Sequence, residues 1–238
     1  MNNIESFILS TLSATVRAGT PLLFAVLGTI FTERSGVMNL GLEGLMLVGA
    51  IGGFVASYQT SNLLLAILVA MLAGAVLGLV HAFFTVTLRV NQIVSGLAIT
   101  MLGTGLSGLW GRDYIGVIAK RFQPIRIPVL SDIPYLGQIL FSHDLLVYIS
   151  FLLVPVMWFF IYKTRPGLTL RAVGESPEAA DAKGINVFAV RYIYTILGGS
   201  ITAIGGAYLS LAYNSMWIEN MTAVRGWIAI ALVLFATW

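Results

Sequence analysis

The sequence predicts an all-α fold: a polytopic bundle of transmembrane helices with one short helix on its cytoplasmic side. Composition is the first observation. Of 238 residues 58% are hydrophobic and only 10% are charged, whereas soluble domains are about half apolar and a quarter charged. Mean hydropathy of +0.92 is the second. The third is the length of the apolar runs, since a spanning helix needs about 20 largely apolar residues to cross roughly 30 Å of hydrocarbon.

Six runs meet that length: 10–31, 41–57, 63–88, 93–110, 145–162 and 190–212. The first contains Arg17, read as snorkelling or facing protein. The second opens in a glycine-dense stretch, Gly36, Gly41 and Gly44, which can break the helix; such breaks are tolerated at depth only inside protein or along a cavity. Asn39 and Glu43 are therefore candidates for a translocation path, against the reading that Glu33, Arg34 and Glu43 mark a boundary and pair together. In the third, Ala66, Ala70, Gly74, Gly78 and Ala82 recur every fourth residue, a stripe for close packing, and His81 reads as a hydrogen-bonded packing residue. Asn91 and Gln92 open the fourth and are further path candidates, although Asn91 also suits a helix cap.

The stretch 111–143 carries Pro124, Pro128 and Pro134, with Asp132–Gly137 read as turns. The sixth run repeats the small-residue device twice: Thr195, Gly199, Ala203 and Ala207, and beside them Gly198, Thr202, Gly206 and Ser210. After it, Tyr213 to Trp217 mixes hydrogen-bonding and aromatic groups of the kind an uncharged cargo needs, and reads more readily as an interfacial aromatic belt. A seventh apolar run, 226–238, holds 13 residues; as a helix it would rise about 20 Å. The expectation is a single transmembrane domain over 1–238, cut inside that helix, with the competing reading of a short interfacial helix. The amino end, whose first basic residue is Arg17, is expected to belong to the mature chain.

Between the fifth and sixth runs lies a polar loop, 164–189, containing GESPEAADAKGIN. Ser176 suits a cap, Pro177 the first helical position, and Glu178 and Asp181 the early turns. Lys183 falls near the carboxyl end and Gly184 suits the left-handed stop. This spells a helix of about seven residues, roughly 10 Å long. Its Ala179, Ala180 and Ala182 form a small apolar knob, suited either to another protein's groove or to the membrane surface. If the spans alternate, seven basic residues (Arg34, Arg89, Lys163, Arg165, Arg171, Lys183, Arg191) share one side and five (Arg112, Lys120, Arg121, Arg126, Arg225) the other. That bias places the polar loop in the cytoplasm.

Several functions are excluded by what is missing. There is no cysteine and only two, widely separated, histidines, so no disulfide and no Cys/His metal site is expected. The net charge of +3 carries no nucleic-acid signature. No paired intramembrane carboxylates, His-containing metal motif or Gly-x-Ser-x-Gly turn offers a catalytic centre.

Glu178-Ala179-Ala180, three residues and then Gly184 resembles the E-A-A-x-x-x-G coupling loop of bacterial ATP-binding-cassette importer permeases. ERSGVMNLGLEG (Glu33–Gly44), LRVNQIVSGLAITML (Leu88–Leu102) and RPGLTLRAVGESPEAADAKGINV (Arg165–Val187) resemble their branched-chain amino acid, simple-sugar and nucleoside branch. The likeness is greatest to permeases paired with basic-membrane-lipoprotein-type binding proteins. It implies a multi-pass protein of the bacterial inner membrane that forms an uptake path for nucleosides or simple sugars. Its implied partners are ATPase subunits that bind ATP and Mg, a second permease chain and an external solute-binding protein. Ser176, Pro177, Glu178, Ala179, Ala180 and Gly184 would then be the ATPase-coupling residues, and this chain would bind no cofactor itself. The alternative is a secondary transporter or channel for small polar solutes. A secondary transporter would be expected to show intramembrane carboxylates and repeats, and a channel would leave the docking helix unexplained.

Overall fold

The computed structural model describes residues 3–128 and 130–236. Its helices, in chain order, are α1 Asn3–Arg34, α2 Leu42–Thr60, α3 Leu63–Ala82, α4 Gln92–Gly111, α5 Leu136–Leu140, α6 Leu145–Lys163, α7 Arg165–Glu175, α8 Pro177–Ala182, α9 Val187–Tyr208 and α10 Arg225–Ala236. Single π-helical turns extend α3 to Thr87 and α9 to Tyr213. Six of the helices, counted with these extensions, are long and apolar enough to cross a membrane, in the places the sequence predicts. Thr237 and Trp238, the last residues of the seventh apolar run, lie outside the described residues.

Helix boundaries follow local chemistry. The side chains of Asn62, Asn91, Asp144 and Asn186 each accept backbone N–H bonds that open α3, α4, α6 and α9. α1 ends at Gly36, φ +81°, with Gly36 N–H donating to Glu33 and Val37 N–H to Thr32. That is the paired-bond stop a left-handed residue allows.

The bundle is built around α9, which packs most extensively on α3, α1 and α2. The small-residue stripes are buried where these helices meet. A Cβ at Gly78 would lie 2.9 Å from the Thr195 carbonyl oxygen, and one at Gly199 2.6 Å from that of Gly74. Gly28 meets Gly198 and Thr202 on the α1 side, and Gly206 meets the Met46 carbonyl on the α2 side. Water-driven association is weak between helices in lipid, so this close backbone approach supplies much of the attraction.

We call the end that carries Arg34, Arg89 and Lys183 the inner end. At the outer end the 112–143 segment has more order than the expected turns. Ile125–Arg126 (β1) pairs antiparallel with Ser142–His143 (β2), and α5 adds one helical turn. Asp132 to Tyr135 does turn, as its sequence indicates.

Two further expectations change. The 164–189 loop holds two helices, because Thr164 accepts from Gly167 N–H and starts α7, whose Leu170 and Val173 are fully buried. Trp217 is no interfacial belt residue: it is 1% exposed, packed against Gly111 in the largest core cluster.

Candidate functional site

At the inner end, helix α8 stops at Gly184, φ +80°, with Gly184 N–H donating to the Asp181 carbonyl at 2.8 Å and Ile185 N–H to that of Ala180 at 3.1 Å. This is the left-handed stop the sequence spells. The start differs. Ser176 donates no side-chain cap; its extended backbone, φ −148°, presents a carbonyl that accepts from Ala180 N–H at 3.0 Å. The alanines also separate. Ala180 is buried against its own chain, whereas Glu178, Ala179, Ala182 and Gly184 are exposed and Pro177 is half-buried. Behind them α7 packs against α1, α6 and α9, with Gly167, Leu170 and Val173 buried.

The GVMNLG break between α1 and α2 is buried, and its backbone polar groups are satisfied by side chains from neighbouring helices. Gln92 Oε1 accepts from Met38 N–H at 2.7 Å, and the His81 imidazole bonds the Met38 carbonyl at 3.1 Å and Ser95 Oγ at 2.9 Å. Thr100 donates to the Leu40 carbonyl and Arg191 to that of Ser35. Asn39 Oδ1 accepts from Gly41 N–H at 2.7 Å, closing a local turn. Non-helical backbone inside a membrane persists only when satisfied in this way. Asn91 is the exposed cap of α4.

Glu43 has a different set of partners, none of them Arg34. Its carboxylate accepts from Thr222 Oγ1 at 2.5 Å, Val224 N–H at 3.0 Å and Gly226 N–H at 2.7 Å. These groups open α10, so Glu43 is the acidic cap of a helix 179 to 183 positions away in the chain.

That contact places the start of α10 inside the bundle, while the Arg225 guanidinium reaches back to within 5.9 Å of the Tyr213 ring. From Tyr213 the chain turns back along α4: Trp217 packs on Gly111, Glu219 lies beside Gly108, and Gly226 packs on the backbone of Glu43. Gly44, next to Glu43, rests on Gly103. Gly111 to Gly103 is eight residues, a descent of about 12 Å along the helix. Residues 214–224 are therefore re-entrant, and α10 starts inside the bundle. Asn220, Ala223 and Val224 have φ of 53°, 45° and 68°, a conformation costing about 1–3 kcal/mol each for such residues. Ile218, Glu219, Asn220, Ala223 and Val224 are exposed, while Met221 and Thr222 are buried.

At the inner end a cavity of about 420 Å³ is lined by Glu33, Arg34, Met38, Gln92, Arg171 and Leu234 among others. Of the path residues named from sequence, only Gln92 reaches it. The residues missed were Thr222, Glu219 and Asn220, whose only sequence signal was polarity ahead of a short apolar run. Among the described residues no cluster of three or more His, Cys, Asp or Glu could hold a metal ion.

A bundle with six helices long and apolar enough to span a membrane, an irregular stretch before α2, a re-entrant strap and an exposed, well-terminated short helix fits a membrane transport permease. A family model described as the permease component of branched-chain amino acid transport systems matches residues 11–238, and the chain belongs to that family. It is 45% identical over 237 residues to the putative glucose ABC transporter permease protein TsgC13 of Haloferax volcanii, covering 98% of this chain and 72% of that one. It is 37% identical to the guanosine ABC transporter permease protein NupQ of Bacillus subtilis (94% and 74% covered). With the nucleoside ABC transporter permease protein NupC of Lactococcus lactis it shares 35% identity (92% and 73% covered). No solved structure matches the chain. The protein is thus a multi-pass permease subunit of an ATP-binding-cassette importer and not an enzyme; in such systems separate ATPase subunits use the ATP.

Proposed function

We propose that this chain forms part of an uptake path for nucleosides or simple sugars in the plasma (inner) membrane, receiving them from an external solute-binding protein. Its partners are a second permease chain, identical or different, and ATPase subunits that bind ATP and Mg. The relatives named for glucose, guanosine and nucleosides support the choice of cargo. The observation that carries the mechanism is the exposed α8 tip: Glu178, Ala179 and Gly184 stand clear of the bundle while Ala180 anchors them to it.

Ser176, Pro177, Glu178, Ala179, Ala180 and Gly184 are the coupling residues in this reading, Ala180 as the anchor. ATPase closure moves α8, and α7 carries the movement to α6 and α9. A partner can shift the permease only by binding its two conformations unequally. The path runs along the exposed side of the re-entrant segment, where Glu219 and Asn220 supply polar groups, since irregular backbone at that depth needs water or protein beside it, not lipid. Glu43 holds that segment, Gln92 stands at the inner mouth, and Asn39 and Asn91 act through the backbone they fix.

Co-purification with candidate ATPase subunits, with and without a Glu178→Ala, Gly184→Val double substitution, tests the proposal. Capture of an ATPase that the double variant loses is the expected result. Failure of the unmodified permease to retain any ATPase in an intact membrane preparation would overturn it.

A further inference from the structure

At the outer end a cavity of about 230 Å³ opens between α1, the segment after α4 and the start of α6; its lining includes Arg17, Arg121, Phe122, Ser142, His143 and Asp144. The floor is buried, with His143 1% and Asp144 6% exposed. The rim carries the exposed Arg17 and Arg121.

Hydrogen bonding decides what the floor requires. His143 Nε2 lies 2.7 Å from the Ile139 carbonyl oxygen, which holds the proton on Nε2 and leaves Nδ1 as an acceptor. That Nδ1 is buried and has no partner among the described residues. Asp144 Oδ1 accepts from Leu146 and Val147 N–H, capping α6, and the other carboxylate oxygen takes no part in the cap. The floor thus asks for donors. The rim offers them: the Arg17 guanidinium is 5.8 Å above the Tyr213 ring, and Arg121 reaches Ser215 Oγ only at 3.5 Å.

A hydroxyl group answers both, because it donates to an acceptor and accepts from a guanidinium at once. A fully deprotonated anion such as sulfate would satisfy the arginines but leave His143 Nδ1 unpaired, and any inorganic anion would face the Asp144 carboxylate. An amino acid's ammonium would have to share the cavity with the Arg17 and Arg121 guanidinium groups, which already stand beside the Asp144 carboxylate. The cavity of about 230 Å³ lies below the roughly 300–1,000 Å³ of sites for drug-sized ligands, which suits a ligand the size of one sugar ring.

We infer that this cavity is an outer binding site for the vicinal hydroxyls of a single sugar ring, with His143 and Asp144 accepting and Arg17 and Arg121 donating. The choice of a sugar as the relevant polyol rests on the importer reading above. The bonding geometry does not.

Saturation-transfer NMR on the full chain in nanodiscs, with ribose and glucose as probes, tests the site. Saturable binding of at least one sugar is expected. It should weaken about tenfold, the equivalent of 1.4 kcal/mol, in both Asp144→Asn, which keeps an oxygen for the α6 cap, and Arg121→Gln. Arg112→Gln, on the same face but outside the cavity, should bind as the parent does. Absence of saturable sugar binding, or binding that survives both substitutions, would sink the inference. So would inorganic phosphate or leucine binding more tightly than either sugar. ATPase capture without sugar binding removes this site alone, and sugar binding without capture removes the importer reading alone.

Discussion

Glu43→Ala should release the re-entrant segment from the bundle. The substitution leaves Thr222 Oγ1 and the N–H groups of Val224 and Gly226 without their acceptor, at contacts now 2.5, 3.0 and 2.7 Å long. Each unsatisfied buried donor costs about 1–3 kcal/mol, and losing the negative charge at the α10 amino end adds about 0.3–1 kcal/mol. Relief of the carboxylate's own desolvation offsets part of that sum, so a net loss of about 3–5 kcal/mol is expected. Glu43→Gln keeps the shape and one acceptor but turns an amide donor toward donors, for a loss of about 1–3 kcal/mol. Chemical denaturation in detergent measures the order: parent, then Gln, then Ala. A second readout uses the absence of cysteine from the chain. Met221→Cys sits at a position 6% exposed, and its maleimide labelling should accelerate when Glu43→Ala is added. Stability within about 0.5 kcal/mol of the parent, with Met221→Cys still protected, would refute the latch.

Four further outcomes follow from the same structure. Gly184→Val meets no neighbouring atom but must hold φ near +80°, costing about 1–2 kcal/mol; ATPase capture should fall about 5–30-fold with global stability lowered by no more than that cost, and Gly184→Asn should retain most of the capture. Gly206→Ala drives a Cβ into the Met46 carbonyl and should destabilise by about 1–3 kcal/mol. Gly19→Ala, with nothing within 4 Å, should instead stabilise by up to about 1 kcal/mol in the same denaturation assay. Burial raises the Asp144 carboxyl above its ordinary 3.8, with the Leu146 and Val147 N–H bonds and Arg17 opposing. The folded state therefore holds this proton more tightly than the unfolded one. Its stabilising contribution is full below the ordinary value and is lost as pH rises through the raised one. Melting curves from acid to neutral pH should show that fall in the parent and not in Asp144→Asn.

Local signals settled a good deal of this protein. The six spans were legible because an apolar run of membrane length has few other uses, and the observed helices overlap each of them. Asn91 as a cap and Gly184 as a stop were legible because both act on groups within four residues of themselves. The small-residue stripes named the packing faces of α3 and α9. Even α7, which was missed, carried its own marks in Thr164, Pro166 and the buried pair Leu170 and Val173.

What the sequence could not supply were the partners. Nothing near Glu43 indicates that its carboxylate caps a helix 179 or more positions later. Nothing near Trp217 separates a belt residue from one that packs on Gly111. The His143 and Asp144 floor meets Arg17 only once α1 and α6 stand side by side. Periodicity, caps and hydropathy are properties of neighbouring residues, so the sequence by itself determined the six long helices, the short helix α8 and which faces are small. The descent of residues 214–224 into the bundle was decided by the tertiary structure alone, because buried backbone donors can take acceptors only from whatever distant segments the packing brings to them.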